Sequence, residues 1–324
     1  MSAAMLDRVR IGRPTAWILL AALVVLVVAP HLLPQYVVIL LTQSLVYAIV
    51  AMSLDVLIGY SGLGSLGHAA FFAIGAYATA ILVTQHQGGF GAALLLSTVA
   101  GALASAVIAP LALRAAGIYF LMITLAIAMC VWGLAFRWVS LTGGDNGITS
   151  IPRPEIGFGL DMGVAVEFYY LILLFFLACL LLLFLLIRSP FGQTLIGIRD
   201  SESRMQVLGY NVWLHKYLAM VIAGAFAGLA GSLYAYFNSF VSPSDANIGH
   251  CMELVLMVSL GGPGTLVGAG LGALIIVFLK NMVSVYTKRW LMVLAAVYVV
   301  TALYAPEGIM GLFKRSASGG DRPK

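Results

Sequence analysis

Residues 59–77 read GYSGLGSLGHAAFFAIGAY and lie between two long apolar runs. The stretch contains four closely spaced glycines, at positions 59, 62, 64 and 67, followed by a histidine and two phenylalanines. We expect these glycines to open the backbone at the start of a helix. The polar groups freed there need a cavity or contacts with the rest of the protein, because an apolar environment offers them no partners.

The composition around this stretch is that of a protein embedded in lipid. The chain has 324 residues, of which 62% are hydrophobic and 9% charged, whereas soluble domains carry about 25% charged residues. Polar groups are too few to cover a folded surface in water, so the sequence predicts an all-α integral membrane protein. The net charge is +5, but the basic residues are scattered in short segments between apolar runs and do not alternate with aromatic residues. This pattern argues against nucleic acid as a partner.

Apolar runs of about 20 residues indicate helices that cross the bilayer. We predict a polytopic bundle of about eight to ten transmembrane helices in a single transmembrane domain over residues 1–324. The first run follows three arginines, as in a signal peptide, but no small-residue cleavage site comes after it, so we expect it to be retained as an anchor. Residues 316–324 are expected to form a flexible tail. The nine predicted spans lie near residues 16–33, 36–58, 66–86, 90–113, 117–138, 167–187, 217–240, 265–286 and 290–305.

The distribution of lysine and arginine predicts the orientation. Basic residues collect at the amino terminus, in residues 188–216 and in the tail, which are therefore expected in the cytoplasm, whereas loop 139–166 is expected outside. Nine complete crossings would leave the tail outside. We therefore predict that residues 252–261 enter from outside and that the chain turns within the membrane at residues 261–264. This arrangement places Lys280, Lys288 and Arg289 at the outer face, against the same rule.

The turn at residues 261–264 repeats the feature of the opening stretch, a glycine-rich break beside a helix in each half of the chain. Paired interruptions of this kind are typical of transporters whose pathway runs between two repeats, and they raise the possibility of an inverted repeat. The alternative is that the glycines serve helix packing, since Gly264, Gly268 and Gly272 recur every four residues, as do Gly224 and Gly228. The candidate pathway residues are Gly62, Gly64, Ser65, His68, Phe72, Gly261, Gly262 and Gly264.

Residues 188–216, RSPFGQTLIGIRDSESRMQVLGYNVWLHK, are too polar to insert and too patterned for a slack linker. Ser189 and Pro190 can start one helix, and a second can begin near Asp200 and end at Gly209. Two short amphipathic helices on the cytoplasmic surface predict a docking element that transmits force from a partner to the spans on either side. The alternative is a helix pair that rests on the membrane surface without a partner.

Five blocks, in order along almost the whole chain, carry a family resemblance: the opening stretch, IYFLMITLAIA with SLTGGDNGI, the segment from SPFGQTLIGIRD to LAGSLYA, LMVSLGGPGTLVGAGLGA, and YAPEGIMGLF. Together they resemble the permease subunits of branched-chain amino-acid ABC importers of the LivH/LivM type, and most of all the LivM branch. The resemblance implies a location in a bacterial-type inner membrane. It also implies three kinds of partner: a second, LivH-like permease, two cytoplasmic ATPases and an extracytoplasmic substrate-binding protein.

The resemblance further implies that residues 188–216 dock into the ATPase. ABC permeases carry an EAA sequence followed by a glycine in this loop, and the corresponding stretch here reads ESRMQVLG, with Glu202 and Gly209 present and the two alanines absent. The docking role is therefore carried over, and no individual contact is. The candidate docking residues are Pro190, Arg199, Glu202 and Gly209.

The chain lacks the motifs of catalysis. No lysine follows a glycine, so a Walker A loop is absent, and neither HExxH nor GxSxG occurs. We predict no enzyme activity and no cofactor on this chain, with ATP used by partner subunits. The cysteines Cys130, Cys179 and Cys251 lack metal-site spacing and are interpreted as small core residues.

The predicted function is that of one half of an importer channel that works by ATP-driven alternating access on branched-chain or related amino acids. Urea, short amides and other small polar solutes remain alternative substrates. An ion-coupled secondary transporter is a further alternative, for which Asp55 and His68 are the candidate ionisable groups within spans. For Asp55 we expect pairing with a neighbour, and for His68 hydrogen bonds to the backbone of the glycine break.

Overall fold

The computed structural model describes residues 24–154, 163–287, 289, 292, 293, 295–297, 299 and 308–311. Among these residues, seven helices are long and apolar enough to cross a membrane. The protein is therefore an all-α, polytopic membrane protein, as predicted.

The helices follow one another along the chain with short connections. Residues 24–32 are helical and precede the first fully described helix. The helices are α1 Gln35–Asp55, continued by a π-helical turn at Val56–Tyr60, α2 His68–His86, α3 Phe90–Ala112, α4 Ile118–Arg137, α5 Val139–Thr142, α6 Ala165–Arg188, α7 Pro190–Asp200, α8 Glu202–Val207, α9 Val212–Asn238, α10 Ile248–Gly261 and α11 Leu266–Tyr286. The strands β1 Ile148–Thr149 and β2 Phe240–Val241 pair antiparallel, and 3₁₀ turns occupy Gly144–Asn146 and Pro243–Ala246.

Seven of the nine predicted spans correspond to α1, α2, α3, α4, α6, α9 and α11. The first predicted span, 16–33, falls partly outside the described residues, and so does most of the last, 290–305; the predicted flexible tail 316–324 lies wholly outside them. The start of α9 differs from the prediction by five residues, because Asn211 caps the helix by accepting the Leu214 amide N–H at 3.0 Å. The last residues of segment 188–216 thus form the first turns of a span.

The core lies where α1, α2 and α9 meet, and α1 is buried from Leu40 to Asp55 with few interruptions. Small residues let α9 approach its neighbours closely: a Cβ on Gly228 would overlap the backbone of Ser97 in α3. Such close backbone contact drives helix association in lipid, where apolar burial contributes little. The packing interpretation of Gly224 and Gly228 is thereby confirmed.

The outward faces of α3, α4 and α6 are apolar and exposed, as lipid contact requires. Cys179 and Cys251 are buried, as expected. Cys130 is exposed on α4, so its assignment to the core was wrong. Its sequence context could not show which face of an apolar helix points outward, because the whole helix is apolar.

Helices α10 and α11 form a hairpin. At 14 residues, α10 is about 21 Å long, shorter than the hydrocarbon core of a bilayer. The chain then turns through Gly262 and Gly264, both with positive φ, and α11 packs back along α10. Gly261 still belongs to the helix, where it packs against Gly268 of α11.

One end of the bundle brings the turn of the hairpin together with part of the region 188–216, which was predicted to be cytoplasmic. A Cβ on Gly308 would overlap the backbone of Gly262, and Gly264 is next to Arg199 of α7. The β1–β2 pair lies at the opposite end, because β2 follows α9 and α9 runs away from α7. The structure therefore brings the turn of the hairpin, the predicted docking element and residue 308 to the same end.

Candidate functional site

The first glycine break is a local unwinding at the end of α1. The π-helical turn Val56–Tyr60 is followed by an irregular stretch up to Gly67, with φ +72° at Gly62. The Leu66 amide N–H donates to Thr124 Oγ1 of α4 at 3.1 Å, and the Leu63 amide N–H donates to the Leu57 carbonyl at 2.8 Å. Contacts with the protein therefore satisfy these freed backbone groups, as the opening stretch predicted.

The second glycine break lies directly against the first. The Gly264 amide N–H donates to Asp55 Oδ1 at 2.7 Å, and a Cβ on Gly59 would overlap the Gly264 amide nitrogen. Asp55 is fully buried, and it pairs with a backbone group of the other break rather than with an ion. This contact joins α1 to the α10–α11 hairpin across more than two hundred residues of sequence.

Arg199 of α7 completes this contact. Its Nη1 donates to the Gly59 carbonyl, its Cγ lies 3.0 Å from where a Cβ on Gly62 would stand, and its Nη1 lies 3.3 Å from the corresponding position at Gly264. We call Asp55, Gly59, Gly62, Arg199 and Gly264 the junction.

Besides Arg199, the cap and the apolar face of α7 fix the predicted docking element to the bundle. Ser189 caps α7 by accepting the Gly192 amide N–H, and Pro190 is its first residue. The apolar face of α7 buries Leu195 and Ile198. Within residues 188–216, the chain therefore forms two consecutive short helices, α7 and α8, as the sequence predicted, with α7 packed on the bundle.

The outer surface of this element faces away from the bundle. Val207 and Leu208 at the end of α8 are 89% and 70% exposed, and with Ser203 and Arg204 they line a shallow depression. Glu202 forms an ion pair with Lys216 of α9, which ties α8 to the span that follows. An apolar surface of this kind, rimmed by polar residues and next to a span, suits contact with another protein.

Gly209 ends α8 in a left-handed conformation, with φ +86°. A Cβ added there would meet no atom within 4 Å among the described residues. Glycine is thus needed at this position for its backbone conformation and not for lack of space.

The remaining candidate pathway residues lie deeper in the bundle. Ser65 Oγ accepts the Gly67 amide N–H at 3.2 Å, and Gly64 faces Leu121 of α4. His68 is buried, with Nε2 2.7 Å from Ser53 Oγ, so its partner is a side chain of α1 and not the freed backbone. Within the described part of the chain its Nδ1 has no hydrogen-bond partner.

Phe72 belongs to a second cluster, which the sequence did not reveal. Its ring lies 5.1 Å from that of Tyr234 and 5.5 Å from that of His250, and Tyr47 packs against all three. Beside these rings, Lys280 Nζ donates to both carboxylate oxygens of Glu253 at 3.0 Å. We call this group the charged cluster; its members are Tyr47, Phe72, Tyr234, Asp245, His250, Glu253 and Lys280.

Asp245 closes the charged cluster from the connection between α9 and α10, outside the spans. Its Oδ1 accepts from the Tyr234 hydroxyl at 3.2 Å and its Oδ2 from the Ser242 amide N–H at 3.0 Å. Burial raises the pKa of the Asp245 carboxyl, and the Ser242 N–H opposes this shift.

Two sequence signals could have found the charged cluster. Glu253 and Lys280 are lone charges of opposite sign in adjacent apolar runs, ELVLMVSL and VFLKNMV. Ionisable residues in such runs pair with one another. The pair also removes part of the objection to the predicted topology, because Lys280 is neutralised by Glu253 and is not a loop charge.

Comparison with known proteins points in one direction. The family profile described as branched-chain amino acid transport system / permease component matches residues 36–303. The high-affinity branched-chain amino acid transport system permease protein LivM of Salmonella typhimurium is 30% identical over 315 residues, which cover 90% of this chain and 74% of LivM. LivM of Escherichia coli K12 gives the same identity and coverage over 314 residues.

A more distant relative is named for a different substrate. The ribose import permease protein RbsC of Escherichia coli K12 is 24% identical over 302 residues, which cover 88% of this chain and 91% of RbsC. No solved structure matches the chain.

Proposed function

The chain belongs to the family of permease components of branched-chain amino acid transport systems, and from this membership we propose that it forms one half of the channel of an ATP-driven importer for branched-chain amino acids. The proposed location is the inner membrane of a bacterial cell. The proposed partners are a second, LivH-like permease, two cytoplasmic ATPases that use the ATP, and an extracytoplasmic substrate-binding protein.

The observation that carries the mechanism is the position of Arg199. It comes from α7, the first helix of the proposed ATPase-docking element, and it contacts both glycine breaks at once. A movement of α7 and α8 therefore cannot leave the junction unchanged. We propose that closure of the ATPase pair shifts α7, that Arg199 carries the shift to Gly59 and Gly264, and that the α10–α11 hairpin then moves relative to α1.

Branched-chain amino acids are the proposed substrates because the LivM relatives share 30% identity over 90% of this chain. The ribose permease relative, at 24% identity, makes a sugar the leading alternative. Urea and short amides are further alternatives. Ion-coupled transport is less well supported, since Asp55 is held by a backbone amide at the junction.

The test is uptake by the reconstituted complex. The chain is purified with its partner permease and ATPases, placed in proteoliposomes and supplied with the binding protein, and uptake of radiolabelled leucine, isoleucine and valine is measured. We expect uptake that requires both ATP and the binding protein, and that excess unlabelled ribose or urea does not inhibit.

The controls separate the alternatives. A complex whose ATPase subunits carry an inactivated Walker A lysine reports transport without hydrolysis. Uptake by this chain alone under a proton or sodium gradient would overturn the proposal. Uptake of ribose but of no amino acid would replace the substrate and keep the importer.

A further inference from the structure

The ion pair between Glu253 and Lys280 lies in an unusual place. Glu253 is 2% exposed, and both residues belong to apolar helices that pack against one another. A buried ion pair adds little stability compared with apolar residues of similar size, because desolvation offsets the attraction. Ionisable residues at membrane depth mark ligand or ion pathways more often than they mark structural supports.

The surroundings of the pair are those of a mixed polar and apolar site. His250 Nδ1 lies 3.7 Å from Glu253, and in the described residues its buried Nε2 has no hydrogen-bond partner. The His250 ring also borders Tyr47 and Phe72, with ring centroids 5.5 Å apart in each case. Two opposite charges and an unsatisfied imidazole nitrogen therefore stand next to an aromatic wall.

The two parts of this site sit on different structural units. Glu253 and Lys280 belong to the α10–α11 hairpin, whereas the rings of Tyr47, Phe72 and Tyr234 belong to α1, α2 and α9. The hairpin turns at Gly262 and Gly264, where the junction holds it against α1. Movement at the junction thus changes the distance between the ion pair and the aromatic wall.

We propose that Glu253 and Lys280 are the permease's own binding site for a zwitterionic solute. When the hairpin separates from α1, α2 and α9, Glu253 accepts hydrogen bonds from the solute's ammonium group and Lys280 donates to its carboxylate. The rings of Tyr47, Phe72 and Tyr234 receive a short apolar side chain. One internal ion pair is exchanged for two pairs with the solute, so no charge is left unpaired.

This proposal rests on the proposed function and narrows it. A neutral solute such as a sugar or urea cannot replace the internal pair, because it offers no opposite charge to Glu253 or to Lys280 in a medium of low polarity. The site therefore selects for molecules that carry both charges on neighbouring atoms, as α-amino acids do.

The test compares three forms of the chain in the complete complex. In the first, E253K/K280E, the charges are exchanged and the ion pair is kept. In the second, E253Q/K280M, both charges are removed together. The third is the control D145N, which removes an exposed charge outside the cluster. Thermal stability, ATPase activity stimulated by the loaded binding protein, and leucine uptake are measured for each.

We expect both double variants to lower leucine uptake at least tenfold at subsaturating solute, while E253Q/K280M keeps the thermal stability of the wild type. If the pair serves only the structure, E253K/K280E should keep full leucine uptake because its ion pair is intact. That result overturns the inference. Should E253K/K280E not fold, E253D/K280R keeps both charges and shifts them by about a bond length; a raised KM at unchanged maximal rate supports the site, and an unchanged KM overturns it. A wild-type complex that imports no amino acid overturns the proposed function and this inference together.

Discussion

The junction and the charged cluster are built from different materials. At the junction the contacts are made by glycines and backbone amides, with Asp55 and Arg199 as the charged side chains. In the charged cluster, five helices and the connection between α9 and α10 contribute ionisable or aromatic side chains, and the backbone takes little part. Backbone-to-backbone contact transmits displacement because it cannot yield, whereas side chains can exchange partners. The contrast is consistent with the two roles proposed above, force transmission at the junction and solute recognition in the charged cluster.

The contrast is tested most severely by filling the space between the two breaks. Replacing Gly59 with alanine places a Cβ on the Gly264 amide and the Asp55 carboxylate. We expect a loss of more than about 4 kcal/mol of stability, from overpacking and from the broken charged hydrogen bonds. The measurement is the recovery and melting temperature of the purified protein in detergent.

The matched control is Gly133→Ala on α4. A Cβ there meets no described atom within 4 Å, and alanine is the better helix former by about 1 kcal/mol. The control should be neutral or slightly stabilising. Equal behaviour of the two variants would show that the breaks do not touch.

The stability of the charged cluster should depend on the pairing of its charges rather than on close packing. Glu253→Gln alone leaves Lys280 without its carboxylate, and we expect a loss of about 3 to 5 kcal/mol, whereas E253Q/K280M should lose much less. Thermal melts of Glu253→Gln, Lys280→Met and E253Q/K280M, compared with the wild type, form a double-mutant cycle. The cycle isolates the interaction energy of the Glu253–Lys280 pair. Additive losses would contradict a direct interaction.

Coupling should depend on Arg199. Arg199→Ala removes a charged hydrogen bond of about 1.5 kcal/mol or more, so we expect roughly a tenfold fall or more in solute transported per ATP hydrolysed. Hydrolysis itself should continue, since the ATPase sites lie on other subunits in the proposed complex.

The control for this variant is Arg137→Ala, which removes an exposed arginine at the end of α4. Its ratio of transport to hydrolysis should match the wild type. A normal ratio in Arg199→Ala as well would remove Arg199 from the coupling path.

The smallest effect is expected at Gly209. Valine there is strained by the positive φ, which costs about 1 to 2 kcal/mol, while asparagine tolerates the same conformation. We expect reduced coupling in Gly209→Val and near-normal coupling in Gly209→Asn. An equal loss of coupling in both variants would show that a partner subunit occupies the space beside Gly209 and tolerates no side chain there. Within this chain, the described residues leave that space open.

Sequence reasoning found what depends on neighbouring residues. Lengths of apolar runs predicted the seven described spans, and Ser189, Pro190 and Gly209 predicted the limits of α7 and α8. It also identified both glycine breaks, although it could not pair them, because the Gly264–Asp55 contact joins residues 209 positions apart. The inverted repeat stays a prediction.

The charged cluster was not predicted from the sequence, and the reason is physical. Lys280 was expected at the outer face and Glu253 was assigned no role, because a lone charge in an apolar run does not show which residue it pairs with. Only tertiary packing brings α10 and α11 together over 27 residues to make a bidentate pair. Likewise, the partner of His68 could not be inferred, because Ser53 lies on another helix.

The β1–β2 pair has a consequence for biosynthesis. Ile148 pairs with Val241, which lies beyond α6, α7, α8 and α9 in the chain. Because a ribosome delivers residues in order, β1 stays unpaired until α9 has been made and has crossed the membrane. The β1–β2 pair therefore forms late. It can form only when α6 and α9 have both crossed the membrane, so that the two strands lie on the same side.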